Sequence, residues 1–406
     1  MKWLLFAFNN VLRNRRRSVI TMLIVGIGGA SLMIAGGFGL FTYESLREMT
    51  ARETGHLVIA HQHYFDRDEE QALEFGLPDY QHISANLKQR SDTRFVIPRL
   101  QFSGLVSNGE KSAIFLGTGV DPSVEFRVSG PFLDVLEGHI LKTDTNPDDE
   151  PEALIAQGLA RSMNVQVGSI LTLLTTTTEG GLNGLDVKVV GIISTGKPEM
   201  DERKLLVSLP TAQDILVTDK ISALSVYLHD MNNVATVQQE LVTAYPDLSL
   251  RSWADLANYY FKVRGLYNRI FGVMGLIIIL MVFFAVTNTI TMTVVERTRE
   301  IGTLRALGSM PGQIVRVFIL ESACIGIIGA LLAVILTAIV SLSLVFAGIQ
   351  MPPPPGMTTP YPLFINFSLM VVGLTTSSLL IISVIAAWHA SIKGARKPIV
   401  EALTHV

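Results

Sequence analysis

The run IFGVMGLIIILMVFFAVTNTITMT at residues 270–293, followed almost at once by Glu296-Arg-Thr-Arg-Glu-Ile-Gly-Thr-Leu-Arg-Ala-Leu-Gly-Ser-Met-Pro-Gly-Gln313, decides the fold. The first part carries no charge over its whole length. A bilayer core about 30 Å thick needs roughly 20 apolar helical residues to cross it, and lipid leaves no backbone group free to go unpaired, so the run is read as a transmembrane helix. The charged stretch after it is short, and another apolar block starts at Val315. Working outward, the long apolar blocks are Val19–Thr42, Ile270–Thr293, Val315–Phe346 and Phe367–Ala390. Nearly half of the 406 residues are hydrophobic, with a mean hydropathy of +0.41. The fold class is therefore a membrane protein with four transmembrane α-helices and a large domain between the first and second.

Charge orients the chain. Lys2, Arg13, Arg15, Arg16 and Arg17 precede the first block with no acidic residue among them; Arg297, Arg299 and Arg305 lie in the second inter-helix loop, and Lys393, Arg396 and Lys397 follow the last block. The positive-inside rule places all three cytoplasmic. The segment 43–266 holds 31 acidic and 19 basic residues, so it lies outside, and no nucleic-acid partner is indicated. The first block is longer than the roughly 7–15 residues of a signal-peptide core, and no small-x-small cleavage site follows, so it reads as a retained anchor. Cys324 falls in the third block and leaves the outer domain without disulfides, which a domain of that size does not need.

The expected layout is a cytoplasmic amphipathic segment at 1–17, crossings at 18–46, 266–293, 314–346 and 367–390, an outer α/β domain at 47–265, a cytoplasmic coupling helix at 294–313, a short outer loop at 347–366 and a cytoplasmic tail at 391–406. Trp3, Phe6, Phe8 and Leu12 suit the inner membrane face beside the arginine cluster. In the first crossing Ser31, Ala35 and Gly39 recur every fourth residue, as do Gly26 and Ala30, a spacing that lets backbones approach closely in lipid. The outer domain reads as strands near 55–60, 112–117, 170–176, 186–193, 204–208 and 222–228. Helices are expected at 151–163, 211–217 and 234–244, which together make a mixed α/β domain. Glu179-Gly-Gly-Leu-Asn-Gly184 is a hairpin turn. Ser252 caps a helix leading through Trp253, Tyr259, Tyr260 and Phe261 into the second crossing. Met351-Pro-Pro-Pro-Pro-Gly356 reads as a stiff outer connector, with polyproline recognition as the alternative.

In the stretch 296–313, Ile301, Leu304 and Leu307 form an apolar stripe amid charge. Gly308 suits the position just past a helix end, and Ser309 and Pro311 suit the start of the next helix. Residues alone leave a partner-docking helix and an ordinary interfacial loop about even. The segment, however, closely resembles the E-R-x-x-E-I-G-x-L-R-A-x-G motif of the FtsX-like permeases, the type shared by MacB and the lipoprotein-release permeases LolC and LolE. Asn9-Asn-Val-Leu-Arg-Asn-Arg-Arg-Arg-Ser18, Ala395-Arg-Lys-Pro-Ile-Val-Glu-Ala-Leu403 and the order of crossings resemble the same family. In the outer domain Gly55-His-Leu-Val-Ile, Gly117-Thr-Gly-Val-Asp-Pro and Leu154–Gly168 do too.

That resemblance implies a coupling helix seated in a cleft of a separate cytoplasmic ABC ATPase subunit. Glu296, Arg297, Glu300 and Arg305 would make the polar contacts, and Ile301 and Leu304 would fill the apolar part. It also implies a bacterial inner-membrane protein paired with a second permease, as a homodimer or paralogous heterodimer, and meeting a periplasmic carrier or adaptor. The substrate would be a lipoprotein or similar amphiphile leaving the outer leaflet through a gap at Ser31, Ala35 and Gly39. The hairpin at 180–184 is shorter than the carrier-recruiting hairpin of LolC. No G-x-x-x-x-G-K-[ST] loop is present, so ATP and Mg are expected on the partner, with no catalytic site and no cofactor on this chain. His56, His61 and His63 with Asp66 and Asp68 could be read as a metal cluster, though an exposed strand and loop explains the spacing as well, and no metal is expected. Glu321 is an ionisable group inside a crossing; packing with Arg316 or an interhelical hydrogen bond is the milder reading. Two rivals stand beside lipoprotein release: an efflux or peptide-export permease working with an adaptor, and a mechanical signalling protein acting on a periplasmic hydrolase.

Overall fold

The computed structural model describes residue 10 and residues 15–66, 73–129, 133–143, 150–353, 358, 360–396 and 398. Most of the expected amphipathic segment 1–17, Asp68, residues 354–357 of the proline run, and residues 397 and 399–406 of the tail lie outside the described residues. The chain divides into two compact units, one built from 1–44, 262–351 and 362–406, the other from 45–261 and 352–361.

The first unit holds the apolar helices. Among the described residues four helices are long and apolar enough to cross a membrane: Arg15–Thr54 (whose residues 45–54 belong to the second unit), Asn258–Glu296, Pro311–Ala347 and Leu369–Ala395. Their core joins Val25, Val282, Val286, Ile290, Phe318, Leu379 and Ala386. Small residues set the closeness of packing. A Cβ added at Gly29 would stand 2.6 Å from Leu379 Cδ1 and 2.8 Å from the Ala333 Cβ, and one at Gly329 would stand 2.6 Å from Val25 Cγ1. The Ser322 hydroxyl donates to the Ser383 carbonyl at 2.8 Å between the third and fourth crossings. Outward-facing Ile270, Val273, Leu276, Ile277, Leu280 and Phe284 give the second crossing the apolar surface that a hydrocarbon solvent requires. The Leu363 N–H meets the Ile349 carbonyl at 2.9 Å across the short outer loop.

The second unit is built on a ten-stranded mixed sheet. Its strands are β1 (Leu57–His61), β2 (Thr93–Ser107), β3 (Ser112–Val120), β4 (Asp134–Gly138), β5 (Glu152–Ala156), β6 (Ile170–Thr176), β7 (Leu182–Ser194), β8 (Lys204–Ser208), β9 (Ala223–Leu228) and β10 (Leu248–Ser252). The order is β10-β1-β9-β2-β3-β8-β5-β7-β4, with β6 pairing both β2 and β7. Only β3 with β8 and β5 with β7 run parallel among the strand pairs described. The expected hairpin forms, but its turn ends earlier than 184: β6 and β7 pair from Ile170 opposite Lys188 to Thr176 opposite Leu182, so Leu182, Asn183 and Gly184 belong to the strand. Gly180 takes φ +85°, a conformation that costs glycine nothing.

The expected helix at 151–163 is corrected. Residues 152–156 form β5, fully buried along its length, and only Gln157–Met163 is helical. The four-residue apolar run Ala153–Ala156 has no periodicity to separate strand from helix, and burial between β7 and β8 decides it. The long β2 escapes sequence reading because Pro98 interrupts it, and prolines argue against central strands. Ser252 caps as expected, accepting from the Asp255 N–H while Asp255 accepts in return, but the helix stops at Leu256 and a new one starts at Asn258.

Candidate functional site: the loop helix and its buried ion pair

The second crossing ends at Glu296, Arg297 leaves helical geometry at φ −98° and ψ 13°, and a separate helix runs from Thr298 to Ala306. The Thr298 hydroxyl donates back to the carbonyls of Val294 and Val295 at 3.0 and 2.8 Å, which holds the break tight. At the other end Gly308 takes φ +98°. The Ser309 N–H donates to Leu304 and the Gly308 N–H to Arg305, both at 3.0 Å, so the last carbonyls are satisfied by a left-handed glycine cap. Pro311 then opens the third crossing. Its cap residue is Met310 rather than Ser309, with the Gln313 side chain accepting from the Met310 N–H at 3.1 Å.

This short helix has two faces. Thr298, Ile301 and Gly302 are buried, and Ile301 joins the core with Val294, Ile314, Phe318 and Ala390. Arg299, Glu300, Thr303, Leu304, Ala306 and Leu307 are exposed, Leu307 to 81 %. Of the residues expected to contact a partner, the structure turns Glu300 and Leu304 outward and leaves Arg305 half-buried. Glu296 is exposed and paired with Arg17 at 2.6 Å. Ile301 and Arg297, expected at a partner's cleft, point inward: residues four apart share one helix face, and here that face packs on the membrane unit's core.

Arg297 makes the one interaction that sequence reading assigned elsewhere. It is 8 % exposed and Glu321 is 4 % exposed; Nη1 of Arg297 donates to Oε1 of Glu321 at 2.9 Å, and Asn10 Nδ2 donates to the same oxygen at 2.7 Å. Glu300 stands 4.0 Å from Arg297 Nε. Arg316, the expected neighbour of Glu321, is exposed, because five residues along a helix turn a side chain about 140° away. The signal was available: a lone carboxylate in an apolar block needs a cation, and Arg297 stands at the start of the adjoining loop. Asn10 had no such signal.

The small-residue row divides along its length. Ser31 is exposed and its hydroxyl donates to the Ile27 carbonyl at 2.9 Å. Ala35 is half-buried. Gly39 is buried, and a Cβ there would meet the Phe271 ring at 3.2 Å. The tight contacts to the third and fourth crossings come instead from Gly26 and Gly29, while Gly37 meets Ile365 and Asn366 just before the fourth.

The histidines separate as well. His56 Nδ1 accepts from the Leu228 N–H at 3.0 Å. Burial, helped by Arg47 and Arg52, pushes its pKa down to about 4. His61 stacks on Phe75 at 5.6 Å, and His63 meets the same ring edge-on. Asp66 pairs with Arg251 at 2.9 Å.

Known proteins now bear on the chain. A family model for the MacB-like periplasmic core domain matches residues 18–244, and one for the FtsX-like permease C-terminal matches residues 272–399. The chain is similar to the lipoprotein-releasing system transmembrane protein LolE of Haemophilus influenzae, at 23% identity over 82% of this chain and 80% of that protein. It is also similar to the corresponding LolC of Xylella fastidiosa, at 28% identity over 63% of each, so that alignment spans less than two thirds of the relative's length. The solved periplasmic region of MacB from Actinobacillus actinomycetemcomitans resembles 51% of this chain and 93% of that one, with 15% identity and a TM-score of 0.37.

Proposed function

Because the chain belongs to the ABC transporter permeases that join a MacB-like periplasmic core domain to an FtsX-like C-terminal region, we propose that it draws lipid-anchored proteins or similar amphiphiles from the outer leaflet of a bacterial inner membrane. In this reading a separate cytoplasmic ABC ATPase binds ATP and Mg and docks on the exposed face of the helix Thr298–Ala306. A second permease, identical or paralogous, completes the pair. Both termini and the 294–313 loop face the cytoplasm, and the sheet unit faces the periplasm, where a carrier or adaptor meets it.

The observation that supports this most is the two-faced loop helix. Its outer face offers Glu300, Leu304 and Leu307 to a partner, while Arg297 and Ile301 tie its inner face to the third crossing and the membrane core. A push on the outer face is therefore delivered to the crossings through packed, close-contact groups, which are bistable rather than soft. Among the described residues, Arg297 and Glu321 are the only buried charges of the membrane unit, and they are paired with each other. Among the described residues no further buried charge lines a path through the crossings, whereas an acyl chain gains about 0.8 kcal/mol per buried methylene in an apolar groove, comparable with the bilayer it leaves.

The test is reconstitution of the permease with its ATPase in proteoliposomes. ATP-dependent release of a lipid-anchored protein supports the reading. The MacB-like core domain favours a second one, export with an adaptor. It replaces the first if no lipoprotein leaves while a soluble peptide or drug stimulates ATP hydrolysis.

A further inference from the structure

Within the sheet unit a cavity of about 790 Å³ opens between the β2-β3-β8 region and the chain segments around residues 49–65 and 195–204. That volume falls inside the roughly 300–1,000 Å³ of small-molecule sites. Much of its wall is apolar, formed by Val58, Phe65, Phe102, Leu116, Val120 and Leu206.

Its polar groups are mostly committed to one another. Arg99 donates to both oxygens of Glu125, at 3.1 and 2.8 Å, and to the Tyr227 hydroxyl at 3.0 Å. Lys197 pairs with Glu53. Lys204, at the start of β8, lines the same cavity, and its side chain makes no hydrogen bond or ion pair among the described residues. Its side chain is half-buried in the cavity wall, and burial pushes its pKa below the usual lysine value, opposed by Glu53 and Glu125 and reinforced by Arg99 and Lys197. A half-buried cation beside an apolar wall gives an entering anion a charge-assisted hydrogen-bond partner. Exposed Glu199, Glu202 and Arg203 also line the cavity, and the two carboxylates against one guanidinium disfavour a ligand with several negative charges.

We propose that this cavity binds an amphiphile with a single anionic headgroup, a carboxylate or a phosphate, whose head is met by Lys204 and whose tail lies on the apolar wall. The site lies wholly in the outer unit and does not rest on the transport reading above.

The experiment is photo-crosslinking on the full chain in nanodiscs of phosphatidylcholine. The probes are a diazirine-bearing palmitate, a diazirine-bearing lysophosphatidate and a neutral diazirine-bearing monoacylglycerol, with adducts mapped by peptide mass spectrometry. Adducts from either or both acidic probes on 57–65, 93–107 or 204–208 are expected, and which probe labels tells a fatty acid from a phospholipid source. The neutral probe should label these segments about tenfold less, as should the acidic probes on Lys204→Met, the loss of one charge-assisted hydrogen bond. Lys204→Arg should retain labelling. Adducts confined to the crossings, equal labelling by the neutral probe, or full labelling of Lys204→Met would overturn the proposal. So would competition by inorganic phosphate alone, which would leave the apolar wall without a role. If Lys204→Met does not fold, the comparison of charged and neutral probes on the unaltered chain decides.

Discussion

Removing one partner of the Arg297–Glu321 pair should cost far more than removing both. The two groups are 8 % and 4 % exposed and meet at 2.9 Å, with Asn10 as a second donor to the same carboxylate oxygen. Nε and Nη2 of Arg297 find no hydrogen-bond partner among the described residues, so Glu321 carries most of the compensation for the buried guanidinium. Glu321→Leu would strand that cation and Arg297→Met would strand the carboxylate. Each should destabilise the chain by about 3–5 kcal/mol, the usual cost of an uncompensated buried charge. The double variant replaces the pair with apolar groups of similar size and should fall within about 1–2 kcal/mol of the unaltered chain, a coupling energy of roughly 3 kcal/mol or more. Equilibrium unfolding of the four proteins in lipid bicelles measures this cycle. Two small single effects that simply add would refute the buried-pair account and show that water reaches Arg297.

Gly29→Val should cost about 1–3 kcal/mol by overpacking, because even its Cβ would lie 2.6 Å from Leu379 and 2.8 Å from Ala333. Ser31→Val, on the exposed face, should change thermal stability little, and equal effects would mean the first crossing is rotated from the orientation described. His56 is depressed to about 4 in the folded chain from an ordinary 6.5, so the unfolded chain binds the extra proton. Its contribution is complete above about pH 6.5 and is lost as pH falls toward 4, on the order of 2 kcal/mol once solvent screening is allowed for. His56→Phe should flatten the melting temperature between pH 4 and 6.5, and an unchanged slope would count against this. Cysteines at Ser107 and Ser309 in a Cys324→Ala background should react with an impermeant thiol reagent from opposite membrane faces; labelling of both from outside would sink the assigned orientation.

The crossings were legible because length and absence of charge are a one-dimensional signal. β6 and β8 were legible to the residue, bounded by turns and rich in β-branched and apolar side chains. β5 and β2 were not. Five buried residues have no measurable period, and Pro98 lies in a strand that pairs β9 on one stretch and β3 on the next. Within the loop, the motif located the helix and its glycine cap, but an apolar stripe does not say which way it faces. Ile301 turned into the membrane core while Leu304 and Leu307, on the same predicted stripe, turned out. The cation for Glu321 was sought on its own helix, where a five-residue separation makes contact geometrically poor. It came from the adjoining helix junction, a tertiary fact with no local sequence period.

The central claim is that the energy of ATP hydrolysis enters through the outer face of Thr298–Ala306. Leu304 is 46 % exposed there, so Leu304→Asp should leave folding and membrane insertion intact while placing an unpaired charge at an apolar contact. The direct measurement is lipoprotein released per ATP hydrolysed in proteoliposomes holding the permease and its ATPase, for the unaltered chain, Leu304→Asp and Glu300→Lys. At least a tenfold fall in release by both variants is expected, through lost ATPase binding or through hydrolysis that continues without release. Unchanged assembly, hydrolysis and release in both would mean that the helix is only a loop between two crossings.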